Sequence, residues 1–345
     1  MREAGGRPTR PTLARLEGLF GRTGPETDGG ESPFVWSHRR PCYLDPIMKL
    51  CTLFCLTAAA LAQPNAPTPL TRLEANILRI TKSVAANWGI YIKCLETGEE
   101  IALNADQQMD TMSVIKIPLM VEAFRQIEAG KFALTDRIKL TEAAKRPGTG
   151  VIQSLDSGVE LTIKDLLTLM IVVSDNTATD LIYDKVGGTE PVNQLMQSWG
   201  LNSIRATGTA EVWFQALRAA GTAESFHQQA KTPFGLSSPR DMGKLLEKME
   251  KGEAVSKSAS DQMLQIMRRQ LYSSRLPRYV SGFRIPHKTG DFLPYIGNDV
   301  GILESNSRRV VMSVFTAKHF GAGVNLEDAI GRIAEVTANY FAARL

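Results

Sequence analysis

Strand-like segments lie near both ends of this chain, and helical segments occupy most of the stretch between them. Residues 88–95 alternate apolar and polar side chains, and residues 100–103 begin a return strand after a turn. Two further β-like runs, at 297–303 and 309–315, come shortly before the C-terminus. This order predicts an α+β fold, in which one antiparallel sheet is built from both termini and a helical subdomain covers it.

Six helices are predicted between and after these strands. Apolar spacing and capping residues delimit them at 70–86, 118–129, 162–173, 176–186, 239–250 and 326–341. Thr162 and Asp165 have the spacing of a capping box at the start of the third helix. Gly130 and Gly187 follow the second and fourth helices, where a glycine commonly ends a helix.

The N-terminal region differs from the rest of the chain. Residues 1–47 are rich in Gly, Pro and Arg, which predicts a disordered or non-native extension. Residues 48–62 combine a short charged start, an apolar run too short to span a bilayer and an A-x-A-like end, the pattern of a secretory signal peptide. We therefore expect translation to start at Met48 and a mature domain of residues 63–345 to be exported to the periplasm.

Composition narrows the classes of partner. The net charge of +4 is small and its Lys and Arg residues are dispersed, which disfavours nucleic acid. The chain has no H-x-H or H-E-x-x-H cluster, so neither a metal nor a cofactor is expected. Cys94 is the one cysteine of the mature domain, which predicts no internal disulfide. We expect a monomer without a membrane span that acts on a small molecule.

The first chemically suggestive motif is Ser113-Val114-Ile115-Lys116. One helical turn separates Ser113 from Lys116, so the two side chains share a face. A serine hydroxyl is a weak nucleophile until a base takes its proton, and a lysine with a lowered pKa can do this. A helix start also offers free N–H groups to a developing oxyanion. Taken alone, the pair fits the surface of an amphipathic helix equally well.

A second motif, Ser174-Asp175-Asn176, lies between two predicted helices. From such a loop Ser174 could pass a proton to a leaving nitrogen, and Asn176 could donate a hydrogen bond to a substrate carbonyl. Alone, this motif is also an ordinary helix cap.

The third motif is Lys288-Thr289-Gly290, which we place on an edge strand. There, Lys288 and Thr289 could bind a substrate carboxylate, and Gly290 would let the substrate backbone lie close. A solvated turn is the alternative interpretation.

Together and in this order, the three motifs match the S-x-x-K, S-D-N and K-T-G set of class A β-lactamases and penicillin-binding proteins. Residues 112–120 and 166–179 also resemble the nucleophile helix and the second signature of class A β-lactamases. The resemblance extends over residues 70–345. It implies a β-lactamase/transpeptidase-like fold and a serine hydrolase that opens β-lactam rings through an acyl-enzyme.

The resemblance also implies roles for individual residues. Ser113 is the acylated nucleophile, and Lys116 is its base or proton relay. The backbone N–H groups of Ser113 and Asp291 form the oxyanion hole. The remaining residues line the cleft or bind the substrate carboxylate: Ser174, Asn176, Lys288, Thr289 and Gly290.

One departure concerns the loop at residues 206–236. Class A β-lactamases activate the deacylating water with a glutamate in an E-x-x-L-N context, and this chain has no such sequence. Glu211 lies nearest to the expected distance after Ser174, and Glu224 is the other candidate. Each fits a solvated surface glutamate as well.

Two substitutions also depart from the pattern. Asp180 stands where many members have an asparagine that ties down the loop, and Asp291 stands where a small or hydroxylated residue is usual. The Asp291 carboxylate would repel an anionic substrate unless Lys288 or an arginine neutralises it. Arg278 and Arg284 are nearby in sequence.

These departures leave other functions open. The first alternative is a D,D-peptidase like the penicillin-binding proteins, acting on the D-Ala-D-Ala end of peptidoglycan or deacylating slowly. The second is a non-catalytic sensor domain, which the presence of every acylation residue disfavours. A Ser-His-Asp hydrolase is disfavoured because His38 precedes the predicted signal peptide and His287 adjoins Lys288.

Overall fold

A central antiparallel sheet of five strands organises the structure, a computed structural model that describes residues 68–229 and 232–343. Its strand order is β2-β1-β10-β9-β8, so strands from the two ends of the chain are neighbours. Cys94 ↔ Val310 and Asn87 ↔ Ala317 mark the ends of the pairing between β1 and β10. The predicted α+β fold with a sheet built from both termini is confirmed. The predictions for residues 1–47 and 48–62 lie outside the described residues.

The strands have the following bounds: β1 Asn87–Cys94, β2 Glu100–Leu103, β3 Met109–Asp110, β4 Arg137–Lys139, β5 Glu160–Thr162, β6 Arg205–Ala206, β7 Gly235–Ser237, β8 His287–Phe292, β9 Ile296–Glu304 and β10 Arg309–Ala317. The short strands β3, β7 and β6 form a second sheet, and β4 pairs with β5 in a third.

The helices have the following bounds: α1 Pro69–Ser83, α2 Lys116–Glu128, α3 Ile163–Val172, α4 Asn176–Val186, α5 Glu190–Ser198, α6 Ala210–Ala220, α7 Ala223–Gln229, α8 Pro239–Glu250, α9 Lys257–Met267 and α10 Gly323–Ala342. The terminal helices α1 and α10 pack in one apolar core with side chains of the large sheet. The second and larger core holds the helices from α2 to α9. None of the described helices has the length and apolar character needed to cross a membrane.

Several helix limits follow the local signals in the sequence. The capping box at the start of α3 is present, because the Thr162 hydroxyl accepts from the Asp165 N–H and the Asp165 carboxylate accepts from the Thr162 N–H. Gly187 ends α4 with φ 94°, in the left-handed region that glycine adopts without strain. The segment that carries Ser113 is a tight 3-10 turn, Met112–Ile115, and α2 begins after it at Lys116.

The interpretation of residues 206–236 as a loop is wrong, because helices α6 and α7 lie within it. The Thr209 hydroxyl accepts a hydrogen bond from the Val212 N–H and so caps the start of α6. Trp213 then anchors this helix in the larger core with only 6% of its surface exposed. A cap followed by a buried aromatic residue is sufficient to define a helix here.

Candidate active site

Ser113 lies on the 3-10 turn, directly against the edge strand β8. A Cβ atom on Gly290 would come within 2.3 Å of the Thr111 carbonyl oxygen and 3.2 Å of the Ser113 nitrogen. Glycine is therefore required at this position by the close approach of the turn that carries Ser113. The sequence indicates a glycine here for the approach of substrate, and the structure supplies this second reason for it.

Lys116 extends from the start of α2 to the loop between α3 and α4. Its Nζ donates to the Ser174 carbonyl oxygen at 2.7 Å, to the Ser174 Oγ at 3.1 Å and to the Asn176 Oδ1 at 2.9 Å. The side chain is wholly buried, and this burial, reinforced by the positive charge of Lys288, holds its pKa well below the usual range. A lysine in this state is available as a base.

Lys288 reaches the same hydroxyl from the sheet. Its Nζ lies 3.1 Å from the Ser174 Oγ and 2.8 Å from the Thr289 carbonyl oxygen. Burial lowers the pKa of Lys288 to about 7, although the carboxylates of Asp291 and Asp299 oppose the shift. The Ser174 hydroxyl therefore lies between two buried lysines, which is the geometry needed to pass a proton between them.

The backbone of Ser174 is strained, and its neighbour fixes it. Ser174 has φ 55°, in the left-handed region that is uncommon for a residue other than glycine. Asp175 accepts hydrogen bonds from the N–H groups of Val151 and Ile152, at 2.7 and 2.9 Å, and from the Ala178 N–H at 2.9 Å. Strain of this kind persists where the surroundings over-determine it, as they do in this loop.

The edge of the sheet presents donors to the cleft. The Pro286 carbonyl accepts from the Ile302 N–H at 3.0 Å, which places residue 286 in a hydrogen-bonded pair with β9. Because these pairs alternate along an antiparallel ladder, the N–H groups of Thr289 and Asp291 point away from β9, towards the cleft. The Thr289 Oγ1 is buried and has no hydrogen-bond partner among the described residues.

The carboxylate of Asp291 is neutralised by Arg275. The two side chains form an ion pair, and Arg275 also contacts Glu327 at 3.3 Å. The two arginines that the sequence suggested for this role, Arg278 and Arg284, lie elsewhere: Arg278 packs over the Tyr279 ring, and the backbone of Arg284 pairs with β9. Arg275 is only 2% exposed, so its charge is shielded from solvent and held beside the Asp291 carboxylate at the edge of the cleft.

Asp180 ties the start of α6 to α4, as an asparagine does in the family pattern. Its carboxylate accepts from the N–H groups of Ala210 and Glu211 at 2.7 and 3.0 Å, and pairs with Arg146 at 2.7 Å. The Glu211 side chain is 33% exposed and lies 3.4 Å from Arg146 and 3.3 Å from Arg218. The backbone of Glu211 is therefore anchored beside the site, while its carboxylate is engaged by arginines.

Glu224, the other candidate, lies on α7 and is exposed. Its carboxylate accepts from the Gln228 side chain at 3.1 Å. Within residues 68–229 and 232–343, no hydrogen bond or ion pair connects either glutamate with Lys116.

Three aromatic side chains, two of them on α6, lie on one side of the candidate site. The Lys116 Nζ lies 5.9 Å from the centre of the Phe234 ring. Trp213 packs edge-on against Phe234 at 6.1 Å and against Phe214 at 5.0 Å. Phe214 and the Asn176 amide both lie against Gly148. This aromatic wall (Trp213, Phe214 and Phe234) gives the base an apolar neighbour.

Comparison with known proteins defines the class. The model of the β-lactamase enzyme family matches residues 72–341. The chain is 25% identical to β-lactamase VEB-1 of Pseudomonas aeruginosa over 78% of this chain and 90% of that protein. The crystal structure of a β-lactamase from Sphaerobacter thermophilus is 31% identical, covers 79% of this chain and 96% of its own, and superposes with a TM-score of 0.69.

A second similar structure is that of an acyl-enzyme. A point mutant of PBP-A, solved as an acyl-enzyme complex with penicillin G, is 25% identical, covers 82% of this chain and 100% of its own, and has a TM-score of 0.68. The chain therefore belongs to the β-lactamase enzyme family, and it is a hydrolase of the class that acts on β-lactam amide bonds.

The structure brings together most of the residues that the sequence indicated. Lys116, Ser174, Asn176 and Lys288 are joined by hydrogen bonds, and Gly290 contacts the turn of Ser113. Sequence reasoning missed Arg275 and the aromatic wall. Arg275 lies outside the three motifs and nothing in its local pattern distinguishes it, whereas the run Trp213-Phe214 on a cappable segment was a usable signal.

Proposed function

We propose that this chain opens β-lactam rings by acylation of Ser113, with Lys116 as the base. The observation that carries this proposal is the convergence of two buried lysines on the Ser174 Oγ, each at 3.1 Å. Two ammonium groups so close are unfavourable in a buried site, which favours a neutral Lys116 beside a charged Lys288.

The proposed reaction uses side chains and backbone N–H groups of this chain, together with water. Neutral Lys116 takes the proton of the Ser113 hydroxyl, and the serine oxygen bonds to the lactam carbonyl carbon. The N–H groups of Ser113 and Asp291 stabilise the oxyanion. The lactam C–N bond then breaks, and Ser174 passes a proton to the leaving nitrogen as Lys116 restores it. Water hydrolyses the resulting ester and frees Ser113.

Binding of the substrate carboxylate is assigned to β8. Lys288 supplies positive charge and Thr289 supplies the hydroxyl that lacks a partner among the described residues. The ion pair of Asp291 with Arg275 removes the repulsion that a free carboxylate would cause. Asn176 donates its amide to Pro147 as well as accepting from Lys116, so its position at the cleft is fixed.

A specific observation favours slow hydrolysis of the acyl-enzyme, and with it the second candidate function. Among the described residues, the Phe234 ring before β7 lies 5.9 Å from the Lys116 Nζ, and the Glu211 carboxylate is held by Arg146 and Arg218 instead of Lys116. A water molecule on that side has no general base in contact, and the loss of such a base costs about 10²- to 10⁴-fold in rate. A slowly deacylating penicillin binder that acts on peptidoglycan D-Ala-D-Ala ends is therefore the second candidate.

Mass spectrometry of residues 63–345 with benzylpenicillin tests both candidates. We expect a single adduct that persists, and Glu211→Gln to leave its lifetime unchanged because Arg146 and Arg218 engage that carboxylate. Glu224→Gln tests the other candidate and should also leave the lifetime unchanged, and Glu190→Gln, at the exposed start of α5, is the matched control. An adduct that turns over rapidly in the native chain and accumulates only in Glu211→Gln would contradict slow hydrolysis and assign Glu211 as the deacylation base.

We also propose that the chain is exported to the periplasm and functions there as a monomer. The pattern of residues 48–62 supports export. Peptidoglycan, the substrate of the second candidate function, also lies outside the cytoplasm. Sequencing the N-terminus of the chain recovered from a periplasmic extract should give Gln63 as the first residue. Recovery of the intact N-terminus from the cytoplasm alone would contradict this proposal.

A further inference from the structure

Asp110, the last residue of β3, places a carboxylate directly beside the turn that carries Ser113. Its Oδ1 accepts a hydrogen bond from the Met112 N–H at 2.8 Å. Met112 immediately precedes Ser113 and has φ 45°, in the left-handed region that side-chain-bearing residues rarely adopt. The carboxylate therefore holds the strained residue that sets the direction of the Ser113 side chain.

The same carboxylate also connects this turn to the far end of the α6–α7 segment. The backbone N–H groups of Phe234 and Gly235 lie close enough to this carboxylate to favour its charged form. Phe234 is the aromatic ring that lies over Lys116, and Gly235 begins β7. The backbone of Asp110 is itself fixed, because its carbonyl accepts from the Asn298 amide of β9 at 2.9 Å. The Asp110 side chain thus lies between the turn that carries Ser113 and the segment that carries Phe234.

No cation accompanies this carboxylate among the described residues. Asp110 borders a cavity of about 570 Å³ whose other titratable side chains are His227 of α7 and Lys318, which follows β10. Neither forms a hydrogen bond or ion pair with it. Burial raises the pKa of Asp110 to about 7, and the three backbone N–H groups only partly oppose the shift. A half-buried carboxylate without a cation costs stability, so packing alone does not account for it.

We propose that Asp110 is a positioning residue for acylation: its carboxylate holds the Met112 N–H and thereby fixes the turn that presents Ser113 to the β-lactam carbonyl. This inference rests on the proposed function of Ser113. It assigns Asp110 no contact with the substrate. Its effect passes entirely through the backbone from Met112 to Ser113, including the Ser113 N–H of the proposed oxyanion hole.

The inference has opposite consequences for rate and for stability. An ionised carboxylate accepts a hydrogen bond more strongly than a protonated one, so acylation should weaken as the pH falls through about 7. Because the pKa of this acid is higher in the folded chain than in the unfolded chain, the folded state is stabilised by protonation. Its contribution to stability is therefore lost as the pH rises towards about 7. Removing the charge should slow acylation without lowering stability in mildly alkaline buffer.

The test is Asp110→Asn, with the exposed Asp156→Asn as the matched control. The second-order rate constant for acylation by benzylpenicillin is followed by intact mass from about pH 5.5 to 9, a range that brackets the expected ionisation. We expect a loss of about tenfold or more at the alkaline end, where a hydrogen bond to a charged group is removed. The decline in rate near neutral pH should be absent from Asp110→Asn, and its melting temperature at about pH 8 should equal or exceed that of the native chain. Asp156→Asn should behave as the native chain does.

Several outcomes would overturn the inference. An unchanged rate and pH profile in Asp110→Asn would do so. A parallel fall of rate and melting temperature would also do so, because it would reduce Asp110 to a structural residue. Asp110→Glu should restore part of the pH dependence, and its failure to do so while folded counts against the inference. If the native chain is acylated and Asp110→Asn is unaffected, only this inference fails, whereas no acylation of the native chain removes the proposed function as well.

Discussion

Ser113→Ala should gain no mass when it is mixed with benzylpenicillin, whereas the native chain should gain the mass of one whole penicillin. The substitution removes the only atom that the proposed mechanism bonds to the lactam carbonyl. The Ser113 side chain makes no hydrogen bond to another described residue, so its loss should leave the fold intact. Intact mass spectrometry and the melting temperature of the variant check both statements.

Ser174 is the competing nucleophile, and the geometry makes the comparison necessary. Its Oγ lies 3.1 Å from the Nζ of both lysines, whereas the Ser113 hydroxyl makes no hydrogen bond to another described residue. If Ser174 only relays protons, Ser174→Ala should still be labelled, at a reduced rate. Labelling of Ser113→Ala with no labelling of Ser174→Ala would exchange the two roles and overturn the assignment.

The residues that sequence reasoning located are those whose function depends on local spacing. Lys116 follows Ser113 by one turn, and the capping box of Thr162 and Asp165 is complete within four residues. Such patterns follow from the periodicity of the helical backbone, so they can be read from the sequence before the packing of the helix is known. The order of strand-like and helical segments similarly indicated one sheet built from both termini, and the structure shows that β1 and β10 are the strands that join them.

The residues that sequence reasoning missed depend on long-range packing. Arg275 reaches Asp291 because hydrogen bonds to Asn298 and Asp299 hold the segment before β8 against β9, and no local pattern orients so long a side chain. The helices α6 and α7 were missed for a different reason. A structureless stretch of about 30 residues within a compact domain is itself uncommon and argues for hidden secondary structure. Asp110 lies outside the three motifs, and its place beside β7 depends on the pairing of β3 with β7, which no local pattern predicts.

Lys116→Met should lower the acylation rate by about 10²- to 10⁴-fold, the usual contribution of a general base. Methionine is unbranched and apolar and fits the wholly buried path of the lysine. The pKa of Lys116 is lowered in the folded chain, so the charged lysine costs stability wherever it is protonated in the unfolded chain. Removing it should therefore offset the loss of three hydrogen bonds, and the melting temperature at neutral pH should change little.

A slower acylation rate with an unchanged melting temperature would identify Lys116 as a base, because loss of a structural residue would lower both. The exposed Lys164→Met is the matched control. The native acylation rate should rise with pH as Lys116 loses its proton, and this part of the rise should be absent from Lys116→Met, which should keep only the part assigned to Asp110. Lys288→Met should instead act mainly on substrate affinity, because Lys288 is assigned to the carboxylate. If Lys116→Met is acylated at the native rate while Lys288→Met is inert, then Lys288 is the base. The short contact of Lys116 with Ser174 would in that case hold the loop between α3 and α4 in place and take no part in the chemistry.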